Sequence, residues 1–206
     1  MKGGIIYQFK ITLLAISPVI WRRIQVPESY TFWDLHVAIQ DAMGWLDYHL
    51  HVFRFDGAEG RRAIDVGIPD EDNPRDAIIP GWTAGIADRF IRPGMFATYE
   101  YDFGDGWIHK VLLEGILLAE AKAKYPKCLA GERACPPEDC GGVPGYMSLL
   151  KILRNRRHPD YAEYTNWLSG QARKNRPFDP TRFDPADVRF MNPKKRLGKA
   201  VSGMTK

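Results

Sequence analysis

Apolar and polar residues alternate over residues 5–15, with Ile5, Tyr7, Phe9, Ile11 and Leu13 at every second position. A period of two puts these five side chains on one face of an extended chain, so the segment reads as a strand turned toward a core. Ser17-Pro18 interrupts it, and Val19 to Val26 reads as a second strand returning beside the first and ended by Pro27. The period then changes. Thr31 stands where a helix cap belongs, Asp34 suits the positive end of a helix dipole, and Phe32, Leu35, Ile39 and Met43 recur at helical spacing until Gly44. His49 to Phe55 returns to alternation and predicts a third strand.

Between Gly57 and Pro93 the signals weaken as Gly, Pro and Asp accumulate, and a long surface excursion is expected there. Two further strands, Met95 to Phe103 and Trp107 to Ile116, flank Gly104-Asp105-Gly106. Beyond them the pattern turns helical. Ala119 to Lys124 is a short helical candidate, and 125–144 reads as a cysteine-bearing loop. Tyr146, Leu149, Leu150 and Leu153 mark an amphipathic helix, Pro159 opens another with Tyr161, Tyr164 and Leu168 inward, and Asp184-Pro185 starts a last short one. Strands first and helices later predict an α+β fold, with a largely antiparallel sheet covered by helices on one face. The expected organisation is a single domain over 1–191, including the 57–93 excursion, followed by a basic flexible tail at 192–206.

Three groups of residues carry candidate chemistry. Asp105-Gly106 between alternating runs is a hairpin signal. A two-residue loop there pairs Gly104 with Trp107 and sets Asp102 opposite His109, with Glu100 on the same side, a geometry that could orient a general base, hold a metal, or be no more than a solvated ion pair at the base of a turn. A three-residue loop, Gly104 to Gly106, would instead face Tyr101 with His109. Cys128, Cys135 and Cys140 fall within thirteen residues and are the chain's three cysteines. Three thiolates and one histidine make a structural zinc set, with His109, His49, His51 or His158 as the fourth ligand, although no Cys-x-x-Cys pair is present and buried, unreactive thiols are the alternative. The third group is His49-x-His51, whose spacing on a strand could chelate an ion or could simply end an aromatic sheet face. Trp21-Arg22-Arg23 reads as packing with a salt bridge, Trp21 and Arg23 sharing a face.

Composition narrows the setting. At 206 residues, 45% hydrophobic and 26% charged, the chain can bury a full core and has neither a disordered nor a fibrous profile. No apolar run approaches the ~20 residues of a membrane span, and Met1-Lys2-Gly3-Gly4 runs into the first strand without a signal-peptide core, so a cytoplasmic, membrane-free protein with reduced thiols is expected. The net charge of +4 rests on Lys194, Lys195, Arg196, Lys199 and Lys206; without them 24 basic residues face 25 acidic ones. A tail of that kind makes weak, sequence-indifferent contacts with nucleic acid.

Ser17-Pro18-Val19-Ile20-Trp21-Arg22-Arg23, Gly44-Trp45, His49-Leu50-His51-x-Phe53 and Tyr99-x-Tyr101-Asp102-Phe103-Gly104-Asp105-x-Trp107-x-His109 follow one another along the chain. They are joined by Cys135-Pro136-Pro137-Glu138-Asp139-Cys140-Gly141-Gly142-x-x-Gly145-Tyr146 and by Phe178-Asp179-Pro180 with Phe183-Asp184. Together these stretches resemble the family named after the third open reading frame of an Ri plasmid. The resemblance covers about residues 5–190, with least fit over 57–93. It implies an α+β fold and a cytosolic protein often associated with plasmids or mobile elements, and it implies no activity. The leading expectation is an accessory or binding module, linked to mobile-element or nucleic-acid machinery and contacting protein or nucleic acid. The alternative is a metal-assisted hydrolase using Asp102, His109, Glu138 and Asp139, with zinc held by Cys128, Cys135, Cys140 and His109. One geometric expectation rests on the residues themselves: Gly104, Gly106, Gly141 and Gly142 allow close backbone approach and both segments combine glycines with acids, so the cysteine segment should fold back onto the hairpin and bring Asp139 or Cys140 within a side-chain contact of Asp102 or His109.

Overall fold

The computed structural model describes residues 4–56, 64–69, 78–171 and 177–204. Eight strands form one sheet: β1 (Ile5–Leu13), β2 (Ile20–Pro27), β3 (His51–Phe55), β4 (Ile64–Gly67), β5 (Ile78–Pro80), β6 (Phe96–Tyr101), β7 (Trp107–Leu118) and β8 (Lys127–Glu132). Their order is β5-β4-β3-β6-β7-β1-β2-β8, antiparallel except for the β4–β5 pair. The helices are α1 (Phe32–Met43), α2 (Gly142–Arg154), α3 (Tyr161–Gln171) and α4 (Pro193–Met204). This is the α+β architecture expected. No helix among the described residues is long and apolar enough to cross a membrane.

The alternation of β1 buries Tyr7, Phe9, Ile11 and Leu13 in a core shared with Ile20, Ile24 and Val26 of β2 and Phe32, Leu35 and Ile39 of α1. The opposite face is polar. Gln8 and Arg23 both hydrogen-bond Glu114, and Gln25 bonds Gln8, a ladder suited to a wetted sheet surface. Helix α1 begins as its sequence predicts: Thr31 Oγ1 accepts from Asp34 N at 3.2 Å and Asp34 Oδ2 accepts from Thr31 N at 2.9 Å. Gly44 ends it at φ 98°, a left-handed conformation that glycine adopts without a Cβ clash.

Four expectations are corrected. The 57–93 stretch is less an excursion than a sheet edge, because it supplies β4, β5 and a short 3₁₀ turn whose Val66, Ile86 and Phe90 lie in the core; 57–63 and 70–77 fall outside the described residues. Ala119 to Lys124 makes a turn rather than a helix. The cysteine segment contains an edge strand, β8, paired with β2. The tail expected to be free contains α4, which packs on α1: Trp33 Nε1 donates to the Pro193 carbonyl at 3.0 Å, and Arg196 reaches Asp41 at 3.1 Å and Asp47 at 2.9 Å. With the sheet on one side and α4 on another, α1 is buried well beyond its apolar stripe, including His36 and Gln40.

Candidate functional site

Three connections meet at the turn end of the β6–β7 hairpin: 44–50 after α1, 102–106 within the hairpin, and 136–142 before α2. The hairpin turn is longer than either expected form. Tyr101 pairs with Trp107 and Tyr99 with His109, so 102–106 is a five-residue loop. Asp102 turns the chain early by adopting φ 57°. Its Oδ1 accepts from Gly104 N at 3.0 Å and Asp105 N at 3.3 Å, while its carbonyl accepts from Gly106 N at 2.7 Å. Those local bonds replace the ladder bonds a tighter turn would have made.

The expected Asp102–His109 pair is therefore absent. His109 is completely buried beside Trp45 and Tyr99, its Nδ1 meeting the Tyr99 carbonyl at 3.3 Å. Glu100 lies on the other face and pairs with Arg54. Burial pushes the His109 imidazole down to about 3; the Tyr99 and Trp107 carbonyls oppose this and the Arg22 charge adds to it. The folded protein thus keeps His109 neutral, while the unfolded chain takes up a proton below about pH 6.5. The stability that neutral His109 supplies is present above pH 6.5 and is lost as pH falls toward 3, at up to about 1.4 kcal/mol per pH unit. Urea unfolding at pH 7 and pH 5 should show this loss in the native chain and a smaller one in His109→Gln. An equal loss in both would assign the acid sensitivity elsewhere.

The 136–142 segment docks on the turn. Gly141 N donates to Asp105 Oδ2 at 3.2 Å. Gly142, at φ 65°, lies so close that a Cβ there would meet the Asp105 carbonyl at 2.5 Å. The Pro136 carbonyl accepts from Trp45 Nε1 at 3.0 Å, and Glu138 Oε1 accepts from Leu46 N at 2.6 Å. Tyr101 ties all three connections together: its hydroxyl accepts from Tyr48 N at 3.1 Å and donates to Glu138 at 3.1 Å. Burial, then the neighbouring Glu138 charge, raises the Tyr101 phenol, and burial likewise raises the Glu138 carboxyl.

This scaffold brings His49, Asp102 and Asp139 together. His49 Nε2 lies 3.0 Å from Asp139 Oδ1 and 3.6 Å from Asp102 Oδ2, and the three ligand atoms fall within 4.8 Å of one another. Their side chains are 29%, 10% and 60% exposed for His49, Asp102 and Asp139, so one edge of the group is open to solvent. Asp139, like Asp102, sits in left-handed backbone, at φ 54°. Two donors about 2.1 Å from a shared ion stand roughly 3.0–3.4 Å apart at octahedral or tetrahedral angles, close to the 3.0 and 3.6 Å that separate His49 Nε2 from the two carboxylates.

The proposed Cys128, Cys135, Cys140 and His109 set does not converge: among the described residues, His49, Asp102 and Asp139 form the one group of metal-ligand spacing. Cys128 lies in β8, Cys135 is buried, and Cys140 stands two residues before α2. Burial pushes the Cys128 thiol up to about 11 and Cys140 to about 12, and raises Cys135 as well, so all three thiols are protonated at neutral pH. His51 does not join His49. It turns inward and stacks on His36 of α1 with ring centroids 3.5 Å apart. Of the residues expected in a site, the structure joins Asp102 and Asp139, buries Glu138 against the Tyr101 hydroxyl and Leu46 N, and leaves His109 in the core. Sequence reasoning missed Tyr101 as the hub, and it paired His49 with the wrong partners.

The family model described as plasmid pRiA4b ORF-3-like protein matches residues 5–187. An uncharacterized protein of Sinorhizobium fredii (strain NBRC 101917 / NGR234), y4hQ, is 34% identical over 165 residues, spanning 79% of this chain and 80% of its own. The crystal structure of a protein of unknown function, MM3350, from Methanosarcina mazei Go1 is 42% identical and superposes with a TM-score of 0.79 over 91% of this chain and 99% of that one.

Proposed function

The chain belongs to the plasmid pRiA4b ORF-3-like family, and from that premise we propose that it is a binding module built around a divalent metal ion held by His49, Asp102 and Asp139. The observation that carries this reading is the convergence of one imidazole and two carboxylates, from three separate connections, at metal-ligand spacing. A mixed nitrogen and oxygen donor set favours zinc or a neighbouring first-row cation over calcium or magnesium. Asp102 is suited to it because the turn engages Oδ1 and leaves Oδ2 toward His49. The exposed edge at Asp139 leaves coordination positions for an oxygen donor of a ligand or partner.

The hydrolytic alternative needs a base for metal-bound water. Glu138 is the adjacent carboxylate, and both its oxygens face the Tyr101 hydroxyl while one also accepts from Leu46 N. Those bonds support a bracing role for Glu138 and favour binding over catalysis. A nucleic-acid role loses part of its basis, since Arg196 of the basic tail is turned onto Asp41 and Asp47.

Calorimetric titration of tag-free protein with zinc should give one site. Asp139→Asn, at an exposed position, should weaken it by at least ~10-fold, the scale seen even for outer-sphere losses. Cys140→Ser should leave it unchanged within about twofold, well inside that scale. Absence of zinc binding by the native chain, or dependence on Cys140 and not on Asp139, would overturn the proposal.

A further inference from the structure

Arg22, in the middle of the Trp21-Arg22-Arg23 run, is 1% exposed and has no carboxylate within ion-pair distance among the described residues. Its Nε donates to the Ala42 carbonyl at 2.9 Å, and its Nη1 donates to the carbonyls of Trp21 at 2.8 Å and Glu132 at 2.9 Å. The guanidinium lies 3.7 Å over the Phe183 ring. No acceptor stands against Nη2 among the described residues. Burial pulls the group down only to about 10, so it is still charged at neutral pH. A buried cation is costly unless an anion or a full set of acceptors compensates it. Three carbonyls and one aromatic face compensate this one partly.

The side chain lines a cavity of about 360 Å³ whose other walls include Met43, Phe178, Phe183, Arg182 and Arg189. Four aspartates also border it, and each is already engaged: Asp41 by Arg196 and Met191 N, Asp179 by Thr181, Asp184 by Ala186 N, and Asp187 by Arg182. Arg189 donates only to the Ala186 and Val188 carbonyls and likewise lacks a carboxylate partner among the described residues. Two arginines without a carboxylate partner among the described residues therefore share a cavity whose acids already hold other partners.

We infer that this cavity is a second ligand site, distinct in its residues from the cation group, and that it takes a carboxylate carried on an apolar body. Nη2 of Arg22 supplies donors for the carboxylate at the floor, Arg189 adds charge at the rim, and the aromatic walls cover the apolar part. A single negative charge matches one buried guanidinium, whereas a dianionic phosphate would meet the surrounding aspartates as like charges.

The test is a titration of the full chain with N-acetyl-phenylalanine, which presents a peptide-like terminal carboxylate, with 3-phenylpropionate, a free acid, with the amides of both, and with inorganic phosphate. The readout is the Arg22 Nε–Hε NMR resonance, protected by its bond to the Ala42 carbonyl. At least one carboxylate should shift it saturably below ~10 mM, the stronger of the two naming the source, while its amide binds at least ~10-fold more weakly. Arg189→Gln, which removes no buried bond, should weaken the carboxylate by about 3- to 10-fold. No shift by either carboxylate, equal binding of acid and amide, or tighter binding of phosphate would each overturn the assignment.

Discussion

Replacing Gly145 by alanine should destabilise the protein by roughly 3 kcal/mol, lowering its melting temperature by about 6–12 °C. Gly145 lies in the first turn of α2, where its N–H donates to the Gly141 carbonyl at 3.0 Å. A Cβ there would stand 1.9 Å from the Cys140 carbonyl oxygen and 2.8 Å from its carbon. The obstacle is backbone, so no rotamer change relieves it. Nor can Cys140 readily retreat, since Gly141 is bonded to Asp105 and Gly142 is pressed on the Asp105 carbonyl. Accommodation would lift the 136–142 segment from the hairpin turn, separating Asp139 from Asp102 and weakening the proposed cation site along with the fold. Gly170 is the control: it is helical, in α3, and a Cβ there would meet nothing within 4 Å among the described residues. Gly170→Ala should be neutral or stabilise by up to ~1 kcal/mol. Equal thermal stability of Gly145→Ala and the native chain would refute the tight docking described.

The second large effect is at Arg196. Its guanidinium reaches Asp41 and Asp47, whose side chains are only 4% and 10% exposed, and Asp47 also holds His36 at 2.7 Å. Burial works against the Asp47 charge, but His36 and Arg196 outweigh it and lower that carboxyl. Arg196→Ala would remove the cation that these two nearly buried carboxylates share, at a cost of roughly 2–4 kcal/mol. Chemical denaturation measures this directly, and removal of residues 193–206 should cost at least as much because the α1–α4 packing goes too. A change within ~0.5 kcal/mol, the range of ordinary surface substitutions, would mean that α4 is not held to α1.

The parts of the fold that depend on local pattern were readable in the chain. The alternation of β1, the Thr31–Asp34 cap, the stop at Gly44 and the stripe of α2 each rest on residues a few positions apart, and each appears where expected. Register was not readable. Asp105-Gly106 signals a short turn, but the Asp102 carboxylate caps the turn from within and moves the pairing by three residues. An odd shift exchanges the faces, which took His109 from a surface acid to the buried Tyr99 and Trp45. The close spacing of the cysteines misled for a related reason: β8 is a strand, so it carries Cys128 away along the sheet edge. His51 found its neighbour in His36, fifteen positions earlier on α1, a contact that only tertiary packing decides.

The inward position of Arg22 is implicit in the alternation of β2. If Trp21 and Arg23 share the wetted face, Arg22 must join Ile20 and Ile24 facing the core, where an arginine needs an explanation. The meeting of the 136–142 segment with the hairpin was anticipated from glycines and acids alone, and Asp139 does stand beside Asp102. The third member, His49, enters from the 44–50 connection, whose path depends on Tyr48 N reaching the Tyr101 hydroxyl across 53 residues of chain.

The central claim is that His49, Asp102 and Asp139 hold a metal ion, and anomalous diffraction at the zinc edge from crystals grown with zinc tests it most directly. One strong peak should lie about 2.0–2.2 Å from His49 Nε2, Asp102 Oδ2 and Asp139 Oδ1, and it should vanish in His49→Ala. A peak at Cys128, Cys135 or Cys140 instead, or none at His49 in the native crystals, would contradict the account.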